Sequence, residues 1–227
     1  MEKNRCIGIV AGLVLLLSAV TAQALPTNTQ TEFLVNGASA LADGIDSGTG
    51  LGTRSFTFTQ AGSYNVRAFF DLDLSLYTTG FSNEYGQLFN GSSIKSGQSW
   101  EVDEPGYWIG DLYSNFNGAG FDNTLGTGGV TTDQFPDDVA VGLGWQFTLA
   151  EGEMASLYFT ASDMAPTADL LYLAQLEAWG LNDPVYFYTD LVIEPAGPAP
   201  IPEPSTFVLL GSALAGLGLY ARRRRAN

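Results

Sequence analysis

Tyr64-Asn65-Val66-Arg67-Ala68-Phe69-Phe70-Asp71-Leu72-Asp73-Leu74-Ser75-Leu76 alternates along its length. Its even positions after Tyr64 are apolar throughout, and its odd positions carry Asn65, Arg67, Asp71, Asp73 and Ser75. Side chains of a strand point alternately to its two faces, so this spacing predicts a long β-strand with one buried and one wet face. Val139, Val141, Leu143, Trp145, Phe147 and Leu149 repeat the pattern, with small or polar residues between them. Ala150-Glu151-Gly152-Glu153 reads as a turn, and Ala155, Leu157 and Phe159 as the returning partner strand of a hairpin. Weaker strand signals lie at Glu32–Val35, Ser55–Thr59, Trp100–Val102, Trp108–Tyr113 and Val185–Ile193, joined by stretches of Gly, Asn, Asp, Ser and Thr.

Many short strands with turn-rich connections predict a mainly β domain, an antiparallel β-sandwich of jelly-roll or Ig-like type. Thr167–Trp179 fits two readings. Leu170, Leu171, Leu173, Ala174 and Leu176 could share a helix face, whereas Leu171, Leu173 and Gln175 alternate with Tyr172 and Ala174 as in a strand. The strand is the better fit to sequential pairing in a sandwich.

Outside this core the two ends have a different character. Lys3 and Arg5 precede an almost wholly apolar run from Ile7 to Val20, and Ala22-Gln23-Ala24 is a small-x-small cleavage pattern. This predicts a signal helix over residues 1–24, cut by signal peptidase after Ala24, with an uncleaved anchor as the alternative. Cleavage would remove Cys6, the one cysteine of the chain, so the exported domain over residues 25–197 would hold no disulfide. Residues 198–227 begin with a Pro-rich stalk, continue through Pro202-Glu203-Pro204, and run apolar from Phe207 to Tyr220 before Arg222, Arg223, Arg224 and Arg225. The apolar run is short against the ~20 helical residues that span a hydrocarbon core. The arginines would act as a membrane stop and hold the C-terminus on the cytoplasmic side of a transmembrane helix.

The order Pro202-Glu203-Pro204-Ser205-Thr206, Phe207-Val208-Leu209-Leu210-Gly211, Arg222-Arg223-Arg224-Arg225 resembles the PEP-CTERM sorting domain of Gram-negative bacteria. A tail anchor shares the apolar run but not the Pro-Glu-Pro. The resemblance implies that exosortase, a membrane-embedded cysteine transpeptidase-like protease, processes the tail near Pro202, Glu203 and Pro204. It further implies transient anchoring in the inner membrane, then release or attachment at the cell surface or outside the cell. Such proteins tend to accompany exopolysaccharide, biofilm or floc, so a secreted surface or matrix role is the associated expectation.

Composition narrows the chemistry. The formal net charge is −15, and residues 25–197 hold only Arg54, Arg67 and Lys95 against nearly all of the 24 acidic residues. An acidic domain repels nucleic acid and anionic lipid headgroups. With no histidine in the chain and Cys6 in the signal, Ser-His-Asp and Cys-His hydrolysis and imidazole or thiolate zinc ligation are excluded. The expectation is therefore a protein that is not an enzyme. Carboxylate chemistry survives as an acid-pair glycosidase, with Asp71 and Asp73 roughly 7 Å apart on one strand face, or with Glu101, Asp103 and Glu104.

Oxygen-rich, Gly-rich loops also suit a hard cation. The candidate calcium ligands are Asp103, Glu104, Asp111 and Asp122, set against the plain alternative of acidic turns that hold no cofactor. Trp100, Tyr107, Trp108, Tyr113 and Phe116 are dense for a loop-rich region, and aromatic faces stack on pyranose rings, so Trp100, Tyr107 and Trp108 are the candidate sugar contacts. The competing reading places these rings in the core. A carbohydrate-binding module, with or without calcium, is thus the alternative to a structural protein.

Overall fold

The computed structural model of the chain describes residues 25–74, 83–106, 110–126, 136–178 and 184–197, with residues 212, 214 and 222–224 of the tail. The signal helix with Ala22 and Ala24, the Pro202-Glu203-Pro204 motif, most of the apolar run, Arg225, Tyr107 and Trp108 lie outside the described residues. Ser212, Leu214 and Arg222, Arg223 and Arg224 are helical and exposed. Among the described residues, no helix is long and apolar enough to cross a membrane.

Among the described residues of the domain, ten strands, one short α-helix and a single 3-10 turn at Gly91–Ser93 follow one another: β1 (Thr27–Val35), β2 (Ala38–Ala40), β3 (Gly52–Phe58), β4 (Gly62–Asp73), β5 (Glu84–Phe89), β6 (Gln98–Asp103), α1 (Leu112–Asn117), β7 (Ala140–Leu149), β8 (Glu153–Ser162), β9 (Tyr172–Glu177) and β10 (Val185–Pro195). They form two five-stranded sheets, in the orders β2-β1-β4-β7-β6 and β3-β8-β10-β9-β5. Every pairing between these strands is antiparallel. The inner faces meet in one core, in which Phe33 of the first sheet lies 5.8 Å from Phe159 of the second, and Phe70 lies 5.3 Å from Phe187. Trp145 on β7 donates its Nε1–H to Thr189 Oγ1 on β10 at 2.9 Å, and the Thr189 hydroxyl in turn donates to the Tyr158 carbonyl at 2.6 Å. That relay satisfies two buried polar groups across the core, where an unpaired one would cost about 1–3 kcal/mol.

The strand expected at 167–179 is present as β9 over Tyr172–Glu177, and those at Glu32–Val35, Ser55–Thr59, Trp100–Val102 and Val185–Ile193 fall within β1, β3, β6 and β10, apart from Thr59, one residue beyond β3. Three expectations are corrected. The hairpin across Ala150–Glu153 is an arch: β7 pairs with β4 and β6, and β8 with β3 and β10, so the turn carries the chain from one sheet to the other. Gly152 at φ 78° and the bond from Ala150 N–H to the Glu153 carboxylate close it. Both strands present alternate apolar residues to the same core, but from opposite sides.

The segment from Trp108 to Tyr113 is not a strand where described, since Leu112 and Tyr113 open α1. The outer face of β4 is not wet. Arg67, Phe69 and Asp71 are buried because β4 is central in its sheet and α1 with the following loop lies across it. Leu34, Phe69, Leu112, Phe116, Phe121 and Ala140 make a second, smaller core there. Gly142 on β7 is required by that cover, since a Cβ on it would stand 2.3 Å from the Phe121 ring.

Candidate functional site

Pairing sets Asp103 on β6 opposite Ala140 on β7, and Ala140 opposite Asp71 on β4. The C-terminal ends of β4 and β6 and the N-terminal end of β7 therefore meet at one end of the sandwich, and the acids gather there. Trp100 and Val102 take the inward positions of β6, which turns Glu101 and Asp103 to the outer face beneath α1. Glu101, Asp103 and Asp111 bring one carboxylate oxygen each within 4.8 Å of the others. Asn115 of α1 donates its Nδ2–H groups to both Glu101 oxygens at 3.1 Å, and the Asp122 N–H reaches Glu101 at 3.3 Å. Burial lifts the Glu101 carboxyl to about 7, with the Asn115 amide and the Asp122 N–H opposing the rise and the Asp122 and Asp111 charges adding to it.

Of the four residues picked for calcium from sequence, Asp103 and Asp111 join this group together with Glu101. Glu104 is buried next to it and accepts the Gly110 N–H at 3.4 Å. Asp122 directs Oδ1 to its own turn, accepting the Thr124 N–H at 3.1 Å and hydroxyl at 2.6 Å. Hard oxygen ligands in such a set suit calcium rather than a softer ion.

A second acidic group sits between the sheet ends. Glu84, 2 % exposed, accepts the Leu74 N–H at 2.6 Å on one oxygen and the Gln175 Nε2–H on the other. Its main chain exchanges two hydrogen bonds with Asp137, at 3.0 and 2.8 Å, which holds Asp138 close by. Burial first, then the charges of Asp138 and Asp73, raise Glu84 to about 8 against the Leu74 and Gln175 bonds. The same causes lift Asp71 to about 7. Burial, with Asp73 and Asp137, takes Asp138 to about 6. Asp71 and Asp73 thus belong to a partly buried cluster and not to an exposed strand face.

The three basic side chains of the domain are engaged elsewhere. Arg54 lies 3.6 Å from Asp43, and Lys95 lies 2.7 Å from Asp190. Arg67 donates through Nη1 to the Asn115 and Gly118 carbonyls at 2.9 Å, at the C-terminus of α1 where a cation is favoured.

Trp100, a candidate sugar contact, is 6 % exposed and packs in the main core, so its ring is not offered to solvent. Tyr113, another ring of the same aromatic-rich stretch, lies nearby and is open to solvent. Tyr113 is 36 % exposed, sits edge-on to Phe69 at 5.2 Å, and flanks a cleft of about 270 Å³ lined by Gln30, Phe69, Pro105, Gly106, Tyr113 and Ser114. Sequence reasoning left out Glu84 and Gln175 of the second acidic group. The signal was a charged Glu84 in register with Gly86 and Leu88, a pattern readable as an inward-facing acid only once β5 is placed.

The remaining functional feature is linear. Pro202-Glu203-Pro204, the apolar run and the arginine block keep the order that a processed membrane signal needs. Residues 200–225 match the family model described as the PEP-CTERM protein-sorting motif. The PEP-CTERM motif implies exosortase-dependent sorting of an exported protein, with exosortase as the processing partner and the membrane as the place of sorting. No curated protein and no solved structure matches the chain.

Proposed function

We propose that this chain is a non-catalytic cell-surface or extracellular-matrix protein. Its β-sandwich is delivered outside the cell, held briefly by the short C-terminal helix, and freed or re-attached when exosortase cuts near Pro202, Glu203 and Pro204. The observation that carries the reading is the match over residues 200–225. Signal peptidase removes residues 1–24 in the same scheme, and the association with exopolysaccharide or biofilm is the role the sorting route favours. Mass spectrometry of the C-terminal peptides from cells with and without exosortase tests it. Loss of Arg222–Arg225 from the mature protein only where exosortase is present is expected, and an intact tail in both strains refutes it.

A second reading is supported by the geometry at the acidic end. The Glu101–Asp103–Asp111 group and the Tyr113 cleft lie at the two ends of one short segment, and together they would suit a calcium-assisted carbohydrate-binding site. Tyr113→Ala is expected to abolish retention on a neutral polysaccharide column, and unchanged retention would remove this reading.

A further inference from the structure

The outward positions of the second sheet collect aromatic and hydroxyl side chains with almost no charge. Strand alternation sends Phe159, Leu173 and Phe187 to the core, so their neighbours Tyr158, Tyr172, Tyr186 and Tyr188 face out. Pairing sets Phe89, Tyr172, Tyr188, Thr160 and Thr53 side by side in one row across all five strands. Tyr158, 41 % exposed, and Val192, 42 % exposed, extend the apolar surface along β8 and β10. α1 packs on the other sheet, and no described helix or strand crosses this one. Ala174, in the midst of the rings, is nonetheless buried, so its neighbours' side chains close over it and leave an even surface.

Of the outward positions on these five strands, only Asp190 and Glu194 are charged. Lys95 holds Asp190 at 2.7 Å, and Glu194 lies at the C-terminal end of β10. The chain as a whole carries −15. Two copies repel wherever their acids meet, and this face is where that repulsion is least. We propose that the outer face of the β3-β8-β10-β9-β5 sheet binds the same face of a second copy of this chain, giving a two-fold dimer of stacked sandwiches. At about 3.3 Å per residue and about 4.8 Å between strands, the face measures roughly 600 Å². Two such faces pressed together hide roughly 1,200 Å², which reaches the lower end of stable interfaces. The rings favour a protein partner over a sugar. Tyr172 lies 4.8 Å from Phe89 with 7° between their planes, and 5.9 Å from Tyr186 at 67°, so these rings pack on one another. A pyranose needs an open ring face, whereas a facing sheet interdigitates with ring edges and the short Ser and Thr side chains between them. The dimer depends on neither the sorting route nor the Tyr113 cleft.

Sedimentation equilibrium of the full chain in density-matched mild detergent reads the protein mass alone. An interface of this size is expected to have a dissociation constant on the order of micromolar, with the mass of two chains well above it. Tyr158→Glu sets like charges on facing sheets and is expected to weaken association about thirty-fold or more. Gln146→Glu, exposed on the other sheet, adds the same charge and leaves association unchanged. Val192→Glu and Ser55→Glu, both at exposed positions, read the same face if Tyr158→Glu does not fold. Raising the salt from about 0.02 to 0.15 M should tighten the dimer, because it screens the repulsion between two acidic copies. The proposal is overturned by a wild type that stays monomeric at about 100 μM, by undiminished association in the variants that fold, or by association that salt weakens. A monomer retained on a neutral polysaccharide column, and no longer retained as Tyr158→Glu, would assign the face to a glycan and overturn the dimer equally.

Discussion

Stability should fall as the pH rises from mildly acidic to mildly alkaline, and Glu84 should carry the largest share. Its carboxyl is raised from the ordinary 4.5 to about 8, first by burial and then by Asp138 and Asp73, with the Leu74 N–H and Gln175 amide opposing. A carboxyl with a folded pKa above its unfolded one binds more protons in the native state throughout the interval between them. The associated stability is complete below pH about 4.5 and is lost as the pH climbs through about 8. At about 1.4 kcal/mol per pH unit, the interval corresponds to on the order of 5 kcal/mol. For a domain of this size that is roughly 10–20 °C in melting temperature. Asp71 and Asp138, raised to about 7 and about 6, act in the same direction but share their repulsion with Glu84, so their effects do not add.

The assay is thermal unfolding of the chain in chelator at intervals from pH 5 to pH 8.5, for the wild type and Glu84→Gln. The wild-type curve should decline across that range, and the neutral glutamine should flatten most of the slope. A wild-type melting temperature that stays level or rises with pH would refute the reasoning, because the cluster would then be hydrated or neutralised by other means.

Three further outcomes follow from the packing and the tail. Gly142→Val drives a side chain into the Phe121 ring and should destabilise the domain by about 1–3 kcal/mol, read as a lower urea midpoint. Thr189→Val removes the acceptor of Trp145 Nε1 and should cost about 1–3 kcal/mol, with a change in near-ultraviolet circular dichroism from the altered tryptophan environment. Replacing Arg222–Arg225 by serine should leave the melting temperature of the domain unchanged while abolishing tail processing, as seen by a C-terminal peptide that survives in cells carrying exosortase.

Strand positions were legible because alternation is local. Val66, Ala68, Phe70 and Leu72 reach the core as their spacing requires, and so do Val141, Leu143, Trp145 and Phe147. Pairing was less legible. Alternate apolar residues around a tight turn are equally compatible with a hairpin, which keeps both strands in one sheet, and an arch, which sends them to opposite sheets of one core. Ala150–Glu153 satisfies both until the competing partners β4, β6, β8 and β10 are known. A clearer local signal was passed over at Asn36-Gly37. There φ values of 51° and 79° make the two-residue turn joining β1 to β2, the geometry for which Asn-Gly is suited. The covered outer face of the first sheet also left a trace. Gly142 and Gly144 alternate with the large apolar residues of β7 because Phe121 needs the space, whereas a solvated face would favour long polar side chains.

The acidic end shows why a site can be hidden in a composition that announces it. A surplus of carboxylates over three basic residues says that repulsion must be handled somewhere, but it does not say where, since most acids can be left in water at little cost. Burial selects among them, and burial depends on pairing between distant segments. Glu84 comes to lie between Leu74 and Gln175, while Asp71 is covered because β4 lies between β1 and β7. Asp46, by contrast, is answered within its own turn by the Gly48 and Thr49 N–H groups and the Thr49 hydroxyl, which hold it below the ordinary carboxylate range. One acid is satisfied by neighbours in sequence, the other only by the assembled sandwich. For that reason a loop-by-loop reading of the acids reaches Asp103 and Asp111 but passes over the buried Glu84.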